Sequence, residues 1–121
     1  MNDHGGFLPA SEMTEKEMKI AAEYMLLPLI KMAFERDRTA IVRADTKFKP
    51  LYLELLDAII AHVTLDLRRN KQDIFNNHIR MTKRGWFNYE VYVRGRLFEF
   101  VYQKSVAMDW IYERVRSYLK L

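Results

Sequence analysis

Apolar residues along this chain keep one spacing for about seventy residues, switch to another for about twenty-five, and then return to the first. From residue 15 to residue 43 they recur every three or four positions, the period of a helix with one buried face. Thr14 and Glu17 stand at capping-box spacing, so the helix is expected to begin there. Pro28 lies inside the run. It lacks an N–H and crowds the preceding turn, which predicts either two helices, 15–27 and 28–43, or one helix kinked at Pro28. Residues 44–50, ADTKFKP, read as a linker, with Pro50 suited to a first helical turn. The next helix is expected from Pro50 to about Asn70. Tyr52, Leu55, Leu56, Ile59, Ile60, Val63 and Leu67 form its stripe, and Leu51, Leu53, Ala58 and Leu65 widen it, which predicts the central helix of the fold.

Residues 78–103 alternate with period two and hold Gly85 and Gly95 between the alternating runs, the pattern of an antiparallel meander. Arg94-Gly95 as a two-residue loop sets Val91 opposite Phe98, Tyr89 opposite Phe100 and Phe87 opposite Tyr102. Lys83-Arg84-Gly85 as a three-residue loop, with Gly85 left-handed, sets Met81 opposite Phe87 and Ile79 opposite Tyr89. Both loops then put the aromatic residues on one face, and a slip by one residue would scatter them. A last helix is expected from Val106, capped by Ser105, with Val106, Trp110, Ile111, Val115, Tyr118 and Leu119 on its apolar side. The fold class is therefore α+β: three N-terminal helices (the first two one kinked helix in the alternative reading), a three-stranded meander and a C-terminal helix.

The chain has 121 residues, which suits a flexible tail over 1–13 and one domain over 14–121. It has no cysteine, so disulfide and thiolate chemistry are excluded. No apolar run is long enough to span a bilayer, and the first residues lack the basic and apolar regions of a signal peptide. These features fit a cytoplasmic protein with no membrane partner.

The net charge of +4 is unevenly placed. Residues 68–104 hold nine Lys or Arg against three Asp or Glu, and the remainder of the chain is net acidic. A site for an anionic or acid-rimmed partner therefore belongs in the meander. Its outward face carries Trp86, Tyr92, Leu97 and Val101, with Arg80, Lys83, Arg84 and Arg94 around them. Trp, Tyr and Arg dominate protein interface hot spots, and aromatics between cations also stack bases beside phosphates. The competing reading is a solvated face partly covered by the last helix. Arg68, Arg69 and Lys71 would extend the patch toward nucleic acid, though short clusters of this kind are usually solvated helix ends.

Glu90 and Glu99 are expected opposite one another, with His78 facing Glu90. No nucleophile or substrate motif accompanies them, so they do not predict an enzyme. His62 and Asp66 sit four residues apart without further ligands, and no metal, cofactor or small-molecule ligand is implied. A winged-helix reading fails because the helices before the hairpin are too long.

The order YMLLPLIKMAFERDRTAI, KPLYLELLDAII, hairpin and amphipathic helix resembles the small YhjD-like proteins of Bacillus-type bacteria and their phages, over about residues 23–119. The resemblance implies a bacterial, cytoplasmic protein and supplies no chemistry. The expectation for function is a non-enzymatic accessory or regulatory protein that binds another protein, or itself as a homodimer, through the basic sheet face, with nucleic acid as the alternative ligand.

Overall fold

A computed structural model of the chain describes residues 12–120. The expected tail falls outside them except for Glu12 and Met13. Helix α1 spans Glu15–Arg43, and its first turn carries the capping box: Glu17 N–H donates to Thr14 Oγ1 at 3.0 Å while Thr14 N–H donates to Glu17 Oε1 at 2.9 Å. The helix passes through Pro28 unbroken, so there are two N-terminal helices and not three. Burial explains the continuity. Met25, Leu26, Leu27 and Ile30 flank the proline on three sides and are almost wholly buried, and each fixes the helix by about 2 kcal/mol of apolar burial.

Helix α2 spans Lys49–Asn76 and returns antiparallel to α1. Two contacts show the direction: Arg38 meets Asp57 near the turn, and Asn70 Nδ2 donates to Ile20 O at the far end. The helix outruns the expected stop near Asn70 because Asn70 itself and Ile74 still pack, the latter against the core beneath the sheet. It ends where Asn77 caps it and His78 turns left-handed, at φ 53°. His78 is therefore outside the sheet and does not face Glu90.

Strands β1 (Arg80–Gly85), β2 (Asn88–Val93) and β3 (Arg96–Val101) form the meander in sequence order. The β2–β3 register is the expected one, with Val91 opposite Phe98, Tyr89 opposite Phe100 and Glu90 opposite Glu99. Arg94 and Gly95 both take positive φ, at 53° and 74°, as a two-residue hairpin loop of this twist requires. The β1–β2 loop differs. Gly85 pairs with Asn88, Trp86 and Phe87 form the turn, and a bulge falls at Arg84, so Met81 faces Val91 and not Phe87. Phe87 decides this, since its ring packs on the cluster of Met25, Leu26 and Ala107 while its carbonyl accepts from Tyr102 N–H. The displacement is four residues, an even number, so the faces are those the alternation predicts.

Helix α3 spans Lys104–Leu119. It starts two residues earlier than expected: Gln103 occupies the cap position and Ser105 lies inside the first turn. The buried layers all meet on the first half of α1. Ile20 and Ala21 pack under Val91 and Val93 of the sheet and under Ile79 just before it. Leu27 and Ile30 pack with Val63 of α2 and with Trp110, Ile111 and Val115 of α3. The central helix is thus α1 and not α2. Leu51, Leu55 and Leu65, expected in the buried stripe of α2, are exposed because neither the sheet nor α3 reaches them.

Candidate interaction surface

The meander presents one face to α1 and the other to solvent. On the outer face the cross-strand rows are Arg80–Tyr92–Leu97 and Thr82–Glu90–Glu99, with Asn88 beside Val101. The C-terminal end of α2 borders this side, where Lys71 and Phe75 line one depression with Arg80 and Tyr92. Trp86 at the turn is 58% exposed, and Tyr92, Leu97 and Val101 are also open to water. Cations rest on the rings. Lys83 Nζ stands 4.2 Å from the centre of the Trp86 ring, and the Arg80 guanidinium stands 5.7 Å from that of Tyr92. The pattern is two apolar ends, Tyr92 with Leu97 and Val101 with the turn residue Trp86, separated by the Glu90–Glu99 pair, with a cation over one ring at each end.

The cations expected around these side chains are not equally free. Arg84 is 2.7 Å from Glu90 on the same face, and the pairing holds its guanidinium more firmly protonated. Arg94 turns away from the outer face altogether. Its Nε and Nη2 donate to the two carboxylate oxygens of Glu17, at 2.8 and 2.9 Å, and Nη2 also donates to Glu12 O. This fork ties the β2–β3 turn to the N-terminus of α1. The Arg94 bonds, with help from Thr14 and against the effect of burial, hold the Glu17 carboxyl below its usual range.

The second expected cluster divides in the same way. Arg68 and Lys71 are exposed on α2, but Arg69 points inward into a network that joins all three helices. Glu23 of α1 is 1% exposed, and its Oε2 accepts from Arg69 at 2.6 Å and from Arg114 of α3 at 2.9 Å. Asp66 of α2 accepts from the same two arginines and from the Tyr118 hydroxyl. Burial raises the Asp66 carboxyl, but the Tyr118 bond and the two guanidinium charges outweigh it and lower it on balance. Tyr118 moves the other way, raised by burial and by its bond to Asp66. Arg114 also lies 4.6 Å over the Trp110 ring, and His62 stacks on Tyr118 at 5.4 Å. Two carboxylates and two guanidiniums balance in charge, so the network holds α3 on the hairpin without a net buried ion.

Sequence reasoning missed this network. The signal was present: Glu23 interrupts an unbroken apolar run, IAAEYMLL, at a position that the 3–4 spacing assigns to the buried side. Among the described residues, no three His, Cys, Asp or Glu groups converge to hold a metal, and no helix is long and apolar enough to cross a membrane.

The protein family described as YhjD protein matches residues 12–121. The chain belongs to the YhjD family. The match covers both helices of the hairpin, the meander and α3, so the family is defined over the whole described fold. No curated protein and no solved structure matches this YhjD family member.

Proposed function

We propose that this YhjD family member is a non-enzymatic accessory or regulatory protein that binds another protein through the outer face of its meander. The observation that supports this reading is the exposure of Trp86, Tyr92, Leu97 and Val101 on the side of the meander away from α1, while Val91 and Val93 on the other side are buried. Exposed Trp and Tyr side chains are typical anchors at protein interfaces. The Arg80 guanidinium and the Lys83 ammonium lie over the Tyr92 and Trp86 rings and are themselves exposed at the rim. A bacterial cytoplasm suits a chain without cysteine.

The same geometry weighs against a polyanion as the preferred ligand. Glu90 and Glu99 stand side by side in the middle of the face, and Arg84 is committed to Glu90. Arg94 and Arg69 are committed elsewhere. What remains is two apolar ends, Tyr92 with Leu97 and Val101 with the turn residue Trp86, on either side of the Glu90–Glu99 pair, which favours a protein that offers apolar anchors over a polyanion.

The test is capture from a lysate of the native host with the tagged full-length chain, followed by measurement with the purified partner. The double variant Trp86→Ala, Tyr92→Ala should weaken the partner's binding at least a hundredfold, given the usual ~2 kcal/mol or more at each aromatic anchor. Unchanged binding would place the interface elsewhere. Tight binding of labelled DNA or RNA, with a log–log salt slope steeper than about −3, would replace the protein reading by the nucleic-acid one.

A further inference from the structure

The two long helices outreach everything packed on them. Helix α3 lies in the groove between α1 and α2 and ends at Leu119, with Lys120 as a left-handed cap at φ 58°. The groove itself continues. Beyond Leu119 it is a depression of about 380 Å³ lined by Ile41, Tyr52, Leu55, Leu56, Ile59 and Leu119. The rows that seat α3 on α2, His62 and Asp66, run on without a break through Ile59, Leu55 and Tyr52 at the same 3–4 spacing. On α1 the row through Glu23, Leu27 and Ile30 runs on through Phe34 to Ile41. The seat is thus about two turns, or roughly 10 Å, longer than the helix that fills it. At its open end Phe48, Leu51, Tyr52 and Leu55 are 59, 53, 39 and 48% exposed.

We infer that the projecting arm of the hairpin is a self-association surface, occupied by the same arm of a second copy running antiparallel as a four-helix bundle. Three features of the arm select a second copy. Over residues 31–58 it carries six Lys or Arg and five Asp or Glu, interleaved along both helices, so two arms meet without net repulsion. One pair, Arg38 with Asp57 at 2.6 Å, already links α1 to α2 within the arm, and Asp37 is the one charged residue among those that line the depression. The area also fits. The half-exposed apolar side chains offer roughly 400 Å² per copy at the areas such groups carry. With interfaces about three-fifths apolar, the pair would bury about 1,300 Å² in total, near the lower bound for a specific dimer. In a two-fold arrangement the tip of each arm, with Phe48, abuts the end of the other copy's α3, so α3 and the partner's arm complete one layer on the hairpin.

This surface lies on the helices and is independent of the sheet face. Sedimentation velocity on the full chain from about 1 to 300 μM should show a monomer–dimer equilibrium within that range, since the surface is near the lower size limit for a specific interface. Leu55→Glu, and separately Leu51→Lys, should weaken it at least tenfold while far-UV circular dichroism and the urea midpoint stay unchanged, since both side chains already face water. Trp86→Ala should leave the dimer intact. A monomer throughout the range, a dimer indifferent to both arm variants, or a dimer lost on Trp86→Ala would each overturn the inference.

Discussion

Arg114 and Arg80 carry the same guanidinium over an aromatic ring, 4.6 Å from Trp110 in one case and 5.7 Å from Tyr92 in the other. Around Arg114 the ring is the floor of a closed network, and Glu23 and Asp66 take its hydrogen bonds. Around Arg80 the ring is the partner among the described residues, and the side chain is exposed. The inner network stabilises the fold and has little left to offer a partner. The outer face adds little to the fold and keeps its hydrogen-bonding capacity. Net charge by segment sees no difference between the two, since it counts a committed cation and a free one alike. What separates them is the location of carboxylates, which only the packing of α1, α2 and α3 reveals.

The strongest break of this contrast is at Glu23. Glu23→Ala removes the acceptor shared by Arg69 and Arg114 and leaves the latter, with its side chain only 19% exposed, short of a counter-charge. Removing one partner of a buried pair costs 3–5 kcal/mol. Because Asp66 can still receive both arginines and Arg69 is half open to water, the expected loss is near the lower end, about 3 kcal/mol, read from urea denaturation. A loss under about 1 kcal/mol would show that the apolar contacts of Trp110, Ile111 and Val115 hold α3 unaided. Replacing the outer pair Trp86 and Tyr92 by Ala should move the same measurement by less than about 0.5 kcal/mol per residue, the ordinary range for open surface positions.

Much of the fold could be read before the structure, and what could not has a physical source. The helices, the meander and the inward aromatic face follow from spacing alone, because 3.6 and 2 are distinct periods and burial reinforces each. Pro28 was legible as an interruption, but whether it breaks the helix depends on the clusters that grip Leu26, Leu27 and Ile30 from three sides, which no local rule contains. The β1–β2 turn was misplaced because Gly85 invites a left-handed turn, whereas the pull of Phe87 toward Met25 and Leu26 sets the turn two residues later. The outer face was legible in Trp86, Tyr92 and Arg80. Arg94 was assigned to it by alternation, but it sits at a turn with positive φ, where the side chain leaves the sheet's periodicity and reaches Glu17.

Arg94 therefore belongs to the inner side of the comparison, and its effect can be separated from that of the outer face by pH and by backbone. The Glu17 carboxyl is held below its usual range chiefly by Arg94, so the folded state binds its proton less readily than the unfolded chain does. Such a group contributes stability that is complete above the unfolded value, about pH 4.3, and is lost as pH falls through the lower folded value. Wild type should therefore be level above about pH 5 and weaken below pH 4, and Arg94→Ala should lose about 1 kcal/mol at pH 7 and show a shallower acid limb. The estimate is modest because the Arg94 side chain is about one-third exposed and solvent screens the pair. A second variant isolates the backbone. At φ 53° a non-glycine residue is strained by about 1 kcal/mol or more, and glycine is not. Arg94→Gly gives up the same bonds to Glu17 and Glu12 but relaxes the turn, so it should be more stable than Arg94→Ala by about 1 kcal/mol, with the same shallow acid limb. If the two variants unfold alike, the strain at this turn is negligible. If either keeps the full acid limb of wild type, Glu17 is not the group that titrates, and Asp66, lowered inside the three-helix network, becomes the carboxylate to replace next.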